Sequence, residues 1–189
     1  DLTLDGTIDV TQSAGGSFGP GVVRIINYAG TLTNNGLTVG TVPAGSEAFV
    51  QTAVAGQVNL VNTAGLTLNF WDGAAGPVND GVIQGGTGTW RLSGGENNWT
   101  EVFGAVNADY AQDSFAIFSG TGGTVTVDNG NGNVRAAGMQ FAVDGYTLIG
   151  GPLELTGTDA FVRVGDGSAG DAGITAPITS ALSGCARVV

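Results

Sequence analysis

The chain has 189 residues, a formal net charge of −11 and a pI near 4.1, with 42% hydrophobic and only 11% charged residues. That is long enough to bury a substantial core as one domain, and too apolar for a charged, disordered tail. Five scattered arginines (Arg24, Arg91, Arg135, Arg163, Arg187) with no Lys or His provide no basic stripe for nucleic acid or an anionic membrane, and no apolar run of about 18 residues offers a spanning helix.

In chain order, Leu2, Leu4, Ile8 and Val10 alternate with Thr3, Asp5, Thr7 and Asp9, which predicts a strand with one buried face. Asp1-Leu2-Thr3-Leu4 has neither a charged n-region nor an apolar h-segment, so any export signal is expected upstream. Asn34-Asn35-Gly36 reads as a turn, and Val58-Asn59-Leu60 and Leu66-Thr67-Leu68-Asn69-Phe70 resume the alternation. Trp71, Trp90 and Trp99 then fall close together, around a Gly-rich stretch from Gly73 to Gly88. That stretch predicts an insertion or corner loop. A single segment is expected, with N-terminal coils at 1–70, a Trp-rich insertion at 71–114 and C-terminal coils at 115–189. Glu101 to Gln112 has the only spacing that suits a helical turn or two.

Beyond it, Val125-Thr126-Val127, Met139-Gln140-Phe141, Tyr146-Thr147-Leu148, Leu153-Glu154-Leu155 and Val162-Arg163-Val164 each alternate. Turn signals at Asp128-Asn129-Gly130-Asn131-Gly132-Asn133, Asp144-Gly145, Gly150-Gly151 and Gly165-Asp166-Gly167 separate them. Ile174-Thr175-Ala176-Pro177-Ile178 closes the series at a sheet edge or strand end. Very short strands at uneven intervals favour an all-β parallel β-helix over a sandwich, in about six to eight coils. The chain begins at Leu2 and ends at Ala186-Arg187-Val188-Val189 on strand-like runs, so an uncapped segment of a longer solenoid is expected.

The order of motifs from Leu68 to Gly184 resembles the passenger region of bacterial autotransporters, and specifically the passenger-associated (autotransporter-associated β-strand) repeat. The motifs are Asn69-Phe70-Trp71-Asp72-Gly73, Gly85-Gly86-Thr87-Gly88-Thr89-Trp90, Asn98-Trp99-Thr100, Ala116-Ile117-Phe118, Gly123-Thr124-Val125-Thr126-Val127, Gly138-Met139-Gln140-Phe141, Gly145-Tyr146-Thr147-Leu148 and Leu182-Ser183-Gly184. Val22 to Gly30 and Leu37 to Gly40 look similar to linking coils of the same proteins. The resemblance implies a right-handed parallel β-helix at the surface of a Gram-negative bacterium, held by a C-terminal outer-membrane barrel outside this chain. It also implies adhesion, stalk or scaffold roles associated with virulence, with a host surface protein or glycan as partner, and neither nucleic-acid binding nor membrane insertion by this segment. Cys185 departs from it, since a small polar residue is expected after Gly184.

Candidate chemistry is thin. Cys185 is the lone cysteine, so no intrachain disulfide forms, and stability must come from packing and backbone pairing. Scarce cysteine also suits a chain that crosses a second membrane unfolded. Without His there is no Ser-His-Asp triad, no His-ligated zinc and no base for Cys185. A β-helical polysaccharide hydrolase would need two carboxylates about 5–9.5 Å apart, for which Asp144 with Glu154 or Asp159 with Asp166 are the candidates. A carbohydrate-binding module would use Trp71, Trp90 and Trp99 as stacking faces; the alternative is that they wedge a corner loop against the outside of the helix. Asp128 to Asn133, and Gly165-Asp166-Gly167 to Asp171, are acidic enough to suggest calcium, but Gly130 stands where a ligand should and no distal Glu follows. Gly85 to Gly88 lacks the Lys and following helix of a phosphate loop. The expectation is a non-enzymatic protein with no catalytic residue, cofactor or metal.

Overall fold

The computed structural model describes residues 1–157, 159–168, 177–179, 181–184 and the backbone of 187–188. Ile174 to Ala176 of the last expected strand, Asp171, Cys185, Ala186 and Val189 therefore lie outside the described residues. Within them the chain is all β, with no helix.

The N-terminal part contains β1 (Leu2–Ile8), β2 (Gly21–Asn27), β3 (Leu32–Val39), β4 (Ala48–Gln51) and β5 (Gln57–Asn62). β1 and β3 pair in parallel, Leu2 opposite Leu32 and Ile8 opposite Val39, with Leu4 buried between exposed neighbours. β2, β5 and β4 form an antiparallel sheet in that order. A parallel connection needs a dozen residues or more, and the turn from Gln51 to Gln57 is too short for one.

The rest contains β6 (Leu68–Trp71), β7 (Gly88–Trp90), β8 (Trp99–Thr100), β9 (Asn107–Ala108), β10 (Phe115–Phe118), β11 (Thr124–Val127), β12 (Val134–Ala136), β13 (Gly138–Phe141), β14 (Thr147–Gly150), β15 (Leu153–Leu155), β16 (Phe161–Val164), β17 (Leu182–Ser183) and β18 (Arg187–Val188). Three parallel ladders run through it: β6-β10-β13-β16-β18, β7-β11-β14 and β12-β15-β17. Partners such as Phe115 and Gly138, Met139 and Val162, or Val125 and Leu148 all lie 23 residues apart. Ile178 adds a parallel bridge to Leu148.

Two features differ from an all-parallel expectation, and the sheets are mixed. One is the β2-β5-β4 sheet. The other is Glu101 to Gln112, which is no helix: β8 and β9 pair antiparallel, Thr100 opposite Asn107, and extend β6. The Glu101 carboxylate accepts the backbone N–H groups of Phe103 and Ala105, both at 2.7 Å, and so closes the turn. A helix here would have to bury Phe103 and Val106, which are 56% and 62% exposed.

The β6-β10-β13-β16 sheet is covered on both faces. Trp71, Ala116, Phe118, Met139, Phe141 and Val162 point into the core shared with the other two ladders. Leu68, Phe70, Phe115 and Ile117 point the opposite way, against Val22 and Val61 of the antiparallel sheet. This is why Phe115 to Phe118 is buried throughout, whereas Leu153-Glu154-Leu155, with one open face, keeps Glu154 exposed.

Candidate functional site

A cleft of about 630 Å³ lies where β2 meets β16, lined by residues drawn from 17–23 and 159–167, among them Val22, Val23, Asp159, Phe161, Arg163 and Asp166. The seam is held by Gln140, which projects from the outer face of β13. Its Oε1 accepts the Val22 N–H at 2.8 Å, and its Nε2 donates to the carbonyls of Val22 at 2.8 Å and Gly165 at 2.7 Å. Gly21 makes this approach possible: a Cβ there would sit 2.3 Å from Gln140 Oε1, and φ is +123°. Arg24 completes the seam, its N–H bonded to the Asp166 carbonyl and its guanidinium 2.5 Å from the buried Asp166 carboxylate.

Of the candidate carboxylate pairs, Asp159 and Asp166 border this one cleft. Asp166 also accepts the Ser168 N–H and pairs with Arg24. Asp144 lies in the turn between β13 and β14, while Glu154 lies in β15, in register with Arg135 of β12. They sit on different elements.

The tryptophans are not wedges on the outside. Trp71 and Trp90 are 0% exposed and Trp99 2%, at the centre of the main core. Trp99 packs 5.1 Å from Trp71 and 4.9 Å from Trp90, and Trp90 meets Tyr110 edge-on at 4.9 Å. A sealed indole has no free face for a sugar ring. Trp71 Nε1 donates to the Gly86 carbonyl at 2.7 Å, whereas the Nε1 groups of Trp90 and Trp99 are buried with no partner among the described residues. Gly85 and Gly86 serve this packing as well: Gly85 bridges Thr121, and a Cβ on it would meet the Tyr146 hydroxyl at 2.3 Å.

Asp128 to Asn133 spends its polar groups on itself and its neighbours. Asp128 accepts the Gly130 N–H and pairs with Arg91 at 2.9 Å. Asn129 bonds the Pro152 carbonyl and the Val134 N–H, and Asn131 the Ser93 carbonyl. No group of three His, Cys, Asp or Glu among the described residues has metal-ligand geometry.

Sequence reasoning missed Asp72 and Gln140. The Asp72 side chain, fully buried, accepts the Gln84 N–H and the Asn107 amide, both at 2.8 Å, tying β6 to the following loop and to β9. Desolvation pushes its pKa up, and these two hydrogen bonds oppose the rise. Burial also raises the phenols of Tyr110 and Tyr146, which donate to the carbonyls of Ser114 and Ser119, both at 2.7 Å. Only the place of Asp72 between Trp71 and Gly73 hinted at its role, and Asp beside Gly ordinarily marks an exposed turn.

No family model matches the chain, and no solved structure matches it. The chain is similar to the adhesin BmaC autotransporter of Brucella suis biovar 1 (strain 1330), with 55% identity over 184 residues. The match covers 97% of this chain and 5% of that protein, so the chain spans about a twentieth of the length of this relative.

Proposed function

We propose that the chain is a surface-displayed segment of the passenger of a Gram-negative autotransporter adhesin. The observation that carries this reading is the 55% identity to an autotransporter adhesin across nearly the whole chain. In the full-length protein a C-terminal outer-membrane barrel anchors the passenger, and the partner beyond the cell is a host surface protein or glycan. The segment belongs to the passenger-associated repeat type and winds as a right-handed parallel β-helix. The 23-residue parallel registers support this winding. Its three portions are N-terminal coils at 1–70, a Trp-rich insertion at 71–114 and C-terminal coils at 115–189.

Its role is non-enzymatic. It extends and stiffens the passenger, because each coil offers the next a strand edge to pair with and so avoids a new nucleation cost. The mutual commitment of Asp166 and Arg24, and the absence of His and Lys, support a structural role. Deleting residues 68–184 from the full-length protein is expected to lower surface display and protease resistance of the whole passenger. Normal display and protease resistance, with adhesion to one host ligand alone lost, would replace the scaffold reading by a receptor-binding one.

A further inference from the structure

We propose that the cleft between β2 and β16 binds the carboxylate of an acidic saccharide, with Arg163 as the group that pairs with it. The proposal does not depend on the display role and stands or falls separately. Arg24, Arg91 and Arg135 each contact at least one carboxylate, from Asp166, from Glu96 and Asp128, and from Asp113 respectively. Arg163 has no such partner among the described residues. Its guanidinium lies over the Phe161 ring, 5.4 Å from the centroid. Beyond that it is flanked by the backbone of Gly19 and Gly21, where added Cβ atoms would come within 3.4 Å of Nη2 and 3.0 Å of Nη1.

Burial lowers the Arg163 pKa with no compensating charge, yet a guanidinium keeps its proton in proteins. The desolvation cost therefore persists until an anion arrives, and a planar N–H fork is matched by a carboxylate, two bonds at once. The remaining space, about 630 Å³, is within the range of small-ligand sites. Val22, Val23 and Phe161 offer apolar contact to the C–H face of a sugar, and Ser17, Asp159 and the glycine backbone offer partners for hydroxyls. The exposed Asp159 at the rim disfavours ligands carrying several negative charges. It favours one carboxylate on a hydroxyl-rich frame over a phosphate ester or an acidic peptide.

The test is calorimetric titration of the chain with sialyllactose, with lactose and N-acetyl-dialanine as comparisons. Saturable binding of sialyllactose is expected, with both comparisons weaker by about tenfold or more. Arg163→Met should weaken sialyllactose by about ten- to a hundredfold, as expected for a lost charge-assisted bond. Its thermal midpoint should stay level or rise, because an unpaired desolvated charge has gone. Asp159→Lys, at an exposed site, should tighten sialyllactose several-fold and leave lactose unchanged. No binding of sialyllactose, equal binding of lactose, or no response to Asp159→Lys would overturn the proposal. So would tighter binding of the dipeptide, which would assign the site to a peptide carboxylate. A lowered midpoint in Arg163→Met with binding intact would make Arg163 structural.

Discussion

Trp71 and Trp90 are equally sealed in the core but differ at one atom: the Trp71 N–H reaches the Gly86 carbonyl and the Trp90 N–H reaches nothing among the described residues. Trp90→Ala is expected to cost about 3–5 kcal/mol by loss of packing. Trp71→Phe should cost about 1–3 kcal/mol more than Trp90→Phe, because it orphans a buried carbonyl while the other removes an orphaned donor. Urea unfolding of the two Phe variants measures the difference, and equal midpoints would deny the bond its role. Asp72 makes a pH prediction. Its pKa is raised above the ordinary 3.8, mainly by desolvation, so between 3.8 and the folded-state value the folded chain binds more protons than the unfolded. This contribution is fully present below 3.8 and is lost as pH rises through the folded value. Relative to Asp72→Asn, the native chain should gain stability as pH falls through that window; a constant difference would show that Asp72 does not titrate there. None of these environments was legible from the chain. Three tryptophans close in sequence are compatible with an outer wedge or a central cluster, and one Asp beside Gly looks the same in a surface turn or a core.

At the scale of elements, the seam between β2 and the β13-β16 wall hangs on one side chain. Replacing Gln140 by Leu keeps the volume but strips three hydrogen bonds from Val22 and Gly165. About 1–3 kcal/mol is expected for each buried backbone group left unsatisfied. Amide exchange at Val22 should accelerate far more than at Phe118, which sits in the interior ladder. Uniform acceleration across both would mean that the cover and the coils unfold as one unit. Alternation in the sequence located eight of the eighteen described strands, β1, β5, β6, β11 and β13 to β16, because one open face keeps period two visible, as in Leu153-Glu154-Leu155. Partner choice was not visible. β8 and β9 are two residues each, too short to show a period, and the carboxylate of Glu101 that closes their turn reads in sequence as an ordinary surface charge.

For the whole molecule, a net charge of −11 on a surface that includes strand edges governs solubility. As pH approaches 4.1 the net charge vanishes, and the repulsion that keeps edges apart goes with it. Turbidity at fixed protein concentration is expected to peak near that pH and to clear on return to neutrality. Full clarity across pH 4.1 would mean that the edges are blocked by their own twist and cover rather than by charge.

The sequence by itself determined the all-β class, the short strands, the acidic surface, and the lack of His and Lys that leaves so little chemistry. Those follow from composition and from a periodicity of two, which are local properties. Only the tertiary structure decided that β2, β5 and β4 run antiparallel as a cover, that the tryptophans are central, and that Arg163 faces a cleft without pairing to a described carboxylate. Each of these depends on which distant strand comes to lie against which. Gln140 and Gly21 meet across 119 positions of chain, a contact set by how the sheet stacks and not by any pattern within either stretch.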